Sequence, residues 1–265
     1  MRRRDFIRLA SAAAVAALAG RVPQARADVL DAIKSRGKLL AGVKYDTPPF
    51  GFVDSSNEVA GFDVDLVREI AKKLGVPVEF VKVTSPTRIP LLISGNVDLV
   101  AASMTNTPER AQAIDFSITY YTGAQRLVVP ESSTIAGTND LKGKIVAVQQ
   151  GTTLEKNLAD VAPGATALPF RDYTSAWLAL RQGRADALTG SSDVLRGFIK
   201  TTPGFKIVGE KFSIEPFGIG VRKGEAGLRT VIDTTLRELW KSGRYQELYR
   251  HWFEIDPDVP IEGAA

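Results

Sequence analysis

Two arginines carry the clearest chemical signal in this chain. Arg88 sits in Thr84-Ser85-Pro86-Thr87-Arg88-Ile89-Pro90, where a strand pattern has ended and a helix pattern begins, and Arg110 follows the helix-start pattern Thr107-Pro108-Glu109. A guanidinium at such a point can hold a carboxylate through two parallel hydrogen bonds, a fit that lysine lacks. The competing readings are a solvated surface residue for Arg88 and an ion pair with Glu109 or Asp115 for Arg110. Hydroxyls and amides cluster at similar positions. Ser103 and Thr105 follow the apolar run 99–101, and Gln149, Gly151, Thr152 and Thr153 open a helical pattern whose N-terminus favours an anionic group. Gly-Thr-Thr alone is also an ordinary helix start, with Thr152 or Thr153 as the cap.

These residues need a frame that brings them together, and the pattern between them supplies one. Short β-branched or apolar runs at 39–43, 78–83 and 99–101 alternate with helical periodicity at 62–74, closed by Gly75 and Pro77, and at 88–93. Repeated β-α-β implies a parallel sheet with right-handed crossovers. After Tyr120-Tyr121-Thr122-Gly123 the pattern restarts, with strands expected at 126–129, 145–148, 167–169 and 185–188 and a helix at 173–182. A last strand at 217–221 is followed only by helices, at 228–242 and 245–253. The reading is an α/β chain of two lobes, one formed by 28–122 plus 218–265 and the other by 123–217, with crossovers near 122 and 217 as a hinge. Ligands of open α/β sheets bind beyond the carboxyl ends of strands. The stretches 44–52, 84–88, 102–110, 149–153 and 189–193 are therefore the expected walls of a polar cleft between the lobes.

The N-terminus reads as an export signal. Arg2, Arg3 and Arg4 precede an Ala-rich apolar segment that reaches Ala25-Arg26-Ala27, an A-x-A cleavage site. Arg3-Arg4-Asp5-Phe6-Ile7-Arg8 resembles the twin-arginine pattern, and the apolar stretch of 12 residues from Leu9 to Gly20 is shorter than the ~20 that a spanning helix needs. Cleavage after Ala27 places the protein in the periplasm. The first 27 residues hold six arginines and one aspartate, so the remaining 238 residues carry a net charge of −1, against +4 for the whole chain. The basic balance belongs to the leader, which removes the electrostatic case for nucleic acid or an acidic membrane surface. With no cysteine, disulfides and thiolate chemistry are excluded, and the single histidine, His251, lies among aromatic residues as a packing residue. No G-x-x-x-x-G-K or G-x-G-x-x-G occurs, and no cofactor or metal is expected. Gly218-Ile219-Gly220 reads as flexibility or close packing at the crossover.

Six runs, taken in order, carry a resemblance. Asp46-Thr47-Pro48-Pro49-Phe50-Gly51-Phe52, Gly61-Phe62-Asp63-Val64-Asp65-Leu66, Arg88-Ile89-Pro90-Leu91-Leu92, Met104-Thr105-Asn106-Thr107-Pro108-Glu109-Arg110, Ile114-Asp115-Phe116-Ser117 and Gln150-Gly151-Thr152-Thr153 closely resemble the polar amino-acid family of periplasmic solute-binding proteins. The resemblance implies a Venus-flytrap protein whose lobes close on one ligand and deliver it to an ABC-transporter membrane permease, with no catalysis. It also implies that Arg110 clamps the α-carboxylate with Ser103 and Thr105, and that Asp46, Phe62, Arg88, Gln149, Thr152 and Thr153 line the rest of the pocket. A protein that presents both lobes to a permease is expected to be monomeric. Core packing remains the other reading of Phe50, Phe52 and Phe62.

The sequence departs from the family at one point. Where the family places an aspartate that accepts the ligand's α-ammonium, five residues after the aspartate of its Gly-Arg-x-Asp-Ala run, this chain has Ser191, with Asp193 two residues on. An unpaired ammonium in a closed cleft is costly. With Arg88 and Arg110 set against Asp46, the expected ligand is anionic: glutamate or aspartate if the ammonium finds Asp46 or Asp193, otherwise a dicarboxylate without an amine. The resemblance extends to cyclohexadienyl dehydratases, and for such an enzyme Asp46 and Glu155 are the acids that could be nominated. A receptor sensing domain is the third reading.

Overall fold

The computed structural model describes residues 29–258 and 260–261. The export signal and the cleavage site after Ala27 lie outside the described residues.

Helix α1 (Val29–Arg36) leads into β1 (Leu39–Val43) and a small antiparallel sheet of β2 (Asp46–Thr47), β3 (Gly51–Val53) and β4 (Val59–Ala60). Helix α2 (Phe62–Leu74) buries Phe62, Leu66, Val67 and Ile70 on one face and ends at Gly75, whose left-handed φ of 71° lets its N–H reach back to the last turn. Strand β5 (Val78–Lys82), helix α3 (Arg88–Ile93), strand β6 (Leu99–Ala101), helix α4 (Pro108–Ala113) and strand β7 (Ile114–Phe116) follow. The chain then runs through β8 (Tyr121–Gly123) into β9 (Gln125–Pro130), β10 (Ile145–Gln149), α5 (Leu154–Val161), β11 (Thr166–Phe170), α6 (Tyr173–Arg181), β12 (Ala187–Ser191), α7 (Ser192–Thr201) and β13 (Phe205–Val208). It returns through β14 (Glu215–Phe217) to β15 (Gly220–Arg222) and ends in α8 (Ala226–Lys241) and α9 (Arg244–Phe253).

These strands form two five-stranded sheets, ordered β5-β1-β6-β15-β7 and β11-β10-β12-β9-β13. Each has a parallel core (β5, β1 and β6; β11, β10 and β12) extended by antiparallel strands, β15 against β6 in the first and β9 against β12 in the second. The sheets are therefore mixed, because the antiparallel strand of each, β15 in the first and β9 in the second, is the one by which the chain arrives from the other half. The two connecting strands, β8 and β14, pair antiparallel with Phe217 opposite Tyr121 and Glu215 opposite Gly123. Helices α8 and α9 pack back onto the first sheet, where Leu228, Ile232, Leu236 and Tyr245 join Leu39, Ala41, Leu66 and Ile70 in one core. That core continues across the gap between the sheets to Val148, Leu154, Tyr173 and Val194. The two halves thus touch along the face on which their parallel strands end.

Candidate ligand-binding site

Where the parallel strands of both sheets end, they enclose a narrow cavity with about 30 Å³ of free space between its walls. Lys44 enters it from the end of β1, Ser85 and Arg88 from the loop after β5 and the start of α3, and Ala102, Ser103 and Thr105 from the end of β6. The opposite wall is made by Gln149, Thr152, Thr153 and Leu154 after β10, by Tyr173 at the start of α6, and by Ser191 and Val194 after β12. Glu215 and Phe217 of connecting strand β14 close the side next to the crossovers. This is the location that open α/β sheets favour for a ligand.

The first sheet brings two buried cations to the cavity. Lys44 is fully buried; its Nζ donates to Ser85 Oγ at 3.1 Å and lies 3.6 Å from Asp46 Oδ1. Burial is the main reason its pKa falls to about 8, and the Arg88 charge adds to the fall while Asp46 opposes it. Arg88 is 2 % exposed, which removes the surface reading; Nη1 donates to the Ala102 carbonyl at 2.8 Å, while Nε is buried without a partner. Burial and then Arg110 pull its pKa down, yet a guanidinium stays charged at neutral pH. Arg110 spans the gap between the halves, giving Nη1 to the Thr105 carbonyl at 2.9 Å and Nη2 to the Gly151 carbonyl at 3.2 Å. Asp115, its proposed ion-pair partner, is bound instead to Lys223 and the Gly224 N–H.

Ser103 adopts a left-handed backbone, φ 46°, held by its N–H to Asp63 Oδ2 at 2.8 Å. Tyr120 Oη donates to the other oxygen of Asp63 at 2.7 Å. Burial raises the Asp63 carboxyl to about 6 against the pull of these bonds. On the opposite wall Thr152 Oγ1 donates to the Gln149 carbonyl at 2.5 Å and accepts from Leu154 N–H at 3.2 Å, while Thr153 occupies the N-cap position of α5 without a side-chain cap bond. Thr153 Oγ1 donates to Glu215 Oε2. Of the four buried side-chain polar atoms without partners among the described residues, three belong to the cavity: Arg88 Nε, Gln149 Nε2 and the Ser191 hydroxyl. Two of these are N–H donors, and an unpaired buried donor costs about 1–3 kcal/mol until an acceptor meets it. An acceptor entering the cavity would satisfy both.

The structure brings together Arg88, Ser103, Thr105, Gln149, Thr152, Thr153 and Ser191 as cavity-lining residues, with Arg110 at the rim. Asp46 and Phe62 are placed otherwise. Asp46 does not line the cavity: Oδ2 accepts the Tyr173 N–H of α6 at 2.8 Å, tying one half to the other. Phe62 is 0 % exposed in an aromatic cluster with Tyr120, Tyr245, Tyr249 and Phe253, because it stands at the inward face of the first turn of α2. Asp193 bonds Tyr121 and Arg196 instead of facing the cavity. Lys44, Ser85, Tyr173 and Glu215 were not singled out from the sequence. Lys44 carried a usable signal, since it is the first residue after β1 and lies inside a predicted wall. Glu215 carried almost none, because no local pattern shows that the returning strand buries a carboxylate against the cleft.

Known proteins resemble this chain over most of its length. The model of the bacterial extracellular solute-binding proteins, family 3, matches residues 39–255. The chain belongs to this family. The ABC transporter glutamine-binding protein of Bacillus subtilis is 38% identical over 239 residues, 88% of this chain and 88% of its own. The L-glutamate/L-aspartate-binding protein of Pseudomonas aeruginosa is 32% identical, over 92% of this chain and 87% of its own. Among solved structures, an ancestral arginine-binding protein bound to glutamine superposes with a TM-score of 0.80 at 43% identity, covering 83% of this chain and 99% of that one. An ancestral amino acid-binding protein described as a precursor of cyclohexadienyl dehydratase gives 0.79 at 37% identity, covering 86% and 100%. The two-lobed fold and the role of amino-acid binding for ABC transport follow from these relatives.

Proposed function

We propose that this chain is the exported, periplasmic substrate-binding component of an ABC importer, that it captures glutamate or aspartate between its lobes, and that it presents the closed form to a membrane permease as a monomer. The lobes are 28–122 plus 218–265 and 123–217, with β8 and β14 as the hinge. The observation that carries the ligand class is the balance of charge at the cavity. Lys44 and Arg88 line it and Arg110 stands at its rim, three cations against Glu215 in the lining and Asp46 paired with Lys44 from outside it. An arginine or lysine ligand would set its side-chain cation against Lys44 and Arg88, a repulsion of about 4 kcal/mol per pair at 4 Å and an effective dielectric constant of ~20. In our reading the α-carboxylate of the ligand meets Arg110, Ser103 and Thr105, and its side-chain carboxylate meets Lys44 and Arg88.

Closure is coupled to binding because the donors come from both lobes and converge only when the cleft is shut. Binding, not catalysis, suits Glu215, which accepts hydrogen bonds from Thr105, Thr153 and Asn157 and is held as a fixed counter-charge. A thermal-shift screen of ligand-stripped protein tests the proposal. Glutamate or aspartate at 100 times its dissociation constant adds about 2.7 kcal/mol of stability. Stabilisation by arginine or glutamine with none by glutamate or aspartate would refute the acidic assignment, and turnover of prephenate or arogenate would refute the binding-only one.

A further inference from the structure

The site as described holds an α-carboxylate and a second anionic group, but an amino acid also brings an ammonium, and Ser191 stands where an acid would be expected to meet it. Glu215 lies in the same cavity, 3 % exposed. Its Oε2 accepts from Thr105 Oγ1 at 2.6 Å and from Thr153 Oγ1 at 2.7 Å, which fills both lone pairs. Oε1 accepts only from Asn157 Nδ2, at 2.6 Å, and keeps one position open. Asn157 is itself oriented by Gln125 Oε1 at 3.0 Å, so the carboxylate is fixed from both lobes.

Ser191, the last residue of β12, lies beside the connecting strands. Gly123 is the register partner of Glu215, and a Cβ built on Gly123 would lie 3.3 Å from Ser191 Oγ. Gly123 therefore keeps the space beside the Ser191 hydroxyl clear. That hydroxyl is buried and has no hydrogen-bond partner. A carboxylate oxygen with one open lone pair and an unpartnered hydroxyl, lining one cavity, are the two acceptors that an ammonium needs. Asp46 and Asp193 are engaged elsewhere, by the Tyr173 N–H and by Tyr121 and Arg196.

We infer that Glu215 Oε1 and Ser191 Oγ form the α-ammonium subsite, so that the hinge strand supplies the charge that the end of β12 does not. This rests on the reading of the cavity as an amino-acid site. It makes the protein selective for amino acids over their amine-free counterparts.

Glutamate and glutarate, which differ only in the amine, are the probes. Calorimetric titration of the wild-type protein is expected to show glutamate bound at least 30-fold more tightly than glutarate. In Glu215→Gln the ratio of the two affinities is expected to fall at least 30-fold, because the loss falls on the ligand that carries the amine. A purely structural role for Glu215 would weaken both ligands together and leave their ratio unchanged, and that result overturns the inference. Equal wild-type affinities overturn it too, whether or not the variant folds. If glutamate and aspartate fail to bind and glutamine binds, the acidic reading has failed, and the subsite is judged by the same comparison of glutamine with 4-carbamoylbutanoate, which lacks only the amine.

Discussion

Between pH 7 and pH 9 the Lys44 ammonium goes from about nine-tenths charged to about one-tenth, because burial has brought its pKa down to about 8. An anionic ligand that binds beside it selects the charged form, so the complex keeps a proton that the free protein loses above pH 8. Linkage then weakens binding by about tenfold over this range, or about 1.4 kcal/mol, provided that the bound ligand holds the Lys44 pKa above 9. Calorimetric titration of glutamate at pH 7, 8 and 9 measures this in the wild type and in Lys44→Gln, which cannot titrate there. The variant corrects for the ligand's own ammonium and for other groups, so the ratio of the two dissociation constants is the diagnostic quantity. Parallel pH profiles for the two proteins would refute the placement of the ligand's anionic group against Lys44. Folding stability carries the opposite sign. An unfolded lysine near 10.5 keeps the proton that folded Lys44 releases above 8, so the contribution of Lys44 to stability is fully present above 10.5 and is lost as the pH falls through 8. Lys44→Met removes that penalty of about 3 kcal/mol, offset in part by the partners it leaves, and the gain over wild type shrinks as the pH rises from 8 to 10.5.

Closure itself can be perturbed without touching a ligand contact. Gly151 has φ 72°, and a Cβ there would stand 2.9 Å from Pro86 N across the cleft, so Gly151→Ala is expected to weaken glutamate at least tenfold and to abolish the ligand-induced compaction seen by small-angle scattering. Asp46→Ala removes the acceptor of the Tyr173 N–H; a hydrogen bond to a charged group contributes about 1.5–3 kcal/mol, so calorimetry should find binding weakened by about 10- to 100-fold. Ser103→Val forces a β-branched residue into φ 46° and should cost about 1–3 kcal/mol in denaturant unfolding, whereas Ser103→Gly should be nearly neutral.

The frame of this protein was legible because its signals are local. The period of α2, its Gly75 stop and the apolar runs of β1, β6 and β10 are written in consecutive residues, and each strand end points to a cleft wall. Helix α7 and strand β13 escaped the reading, since Gly197 interrupts the helical pattern of 192–201 and β13 is only four residues long. At the site, Arg88 and the hydroxyls after β6 and β10 follow from position alone. Asp46 and Phe62 show where that logic stops. Both flank the cleft in sequence, but a tie to α6 and the aromatic core under α2 claim their side chains, and such choices depend on residues more than 50 positions away. Glu215 is the converse case, a carboxylate placed at the cavity by the pairing of β14 with β8 and held by Thr105, Thr153 and Asn157 from both halves.

The central claim is that the cleft between the sheets receives an acidic amino acid. A crystal structure of the glutamate complex tests it most directly. The account predicts glutamate in the cavity, its α-carboxylate on Arg110 and Thr105 and its side-chain carboxylate within hydrogen-bonding distance of Lys44 or Arg88. Glutamate bound outside the cleft, or lying in it with its side-chain carboxylate turned away from both cations, would contradict it.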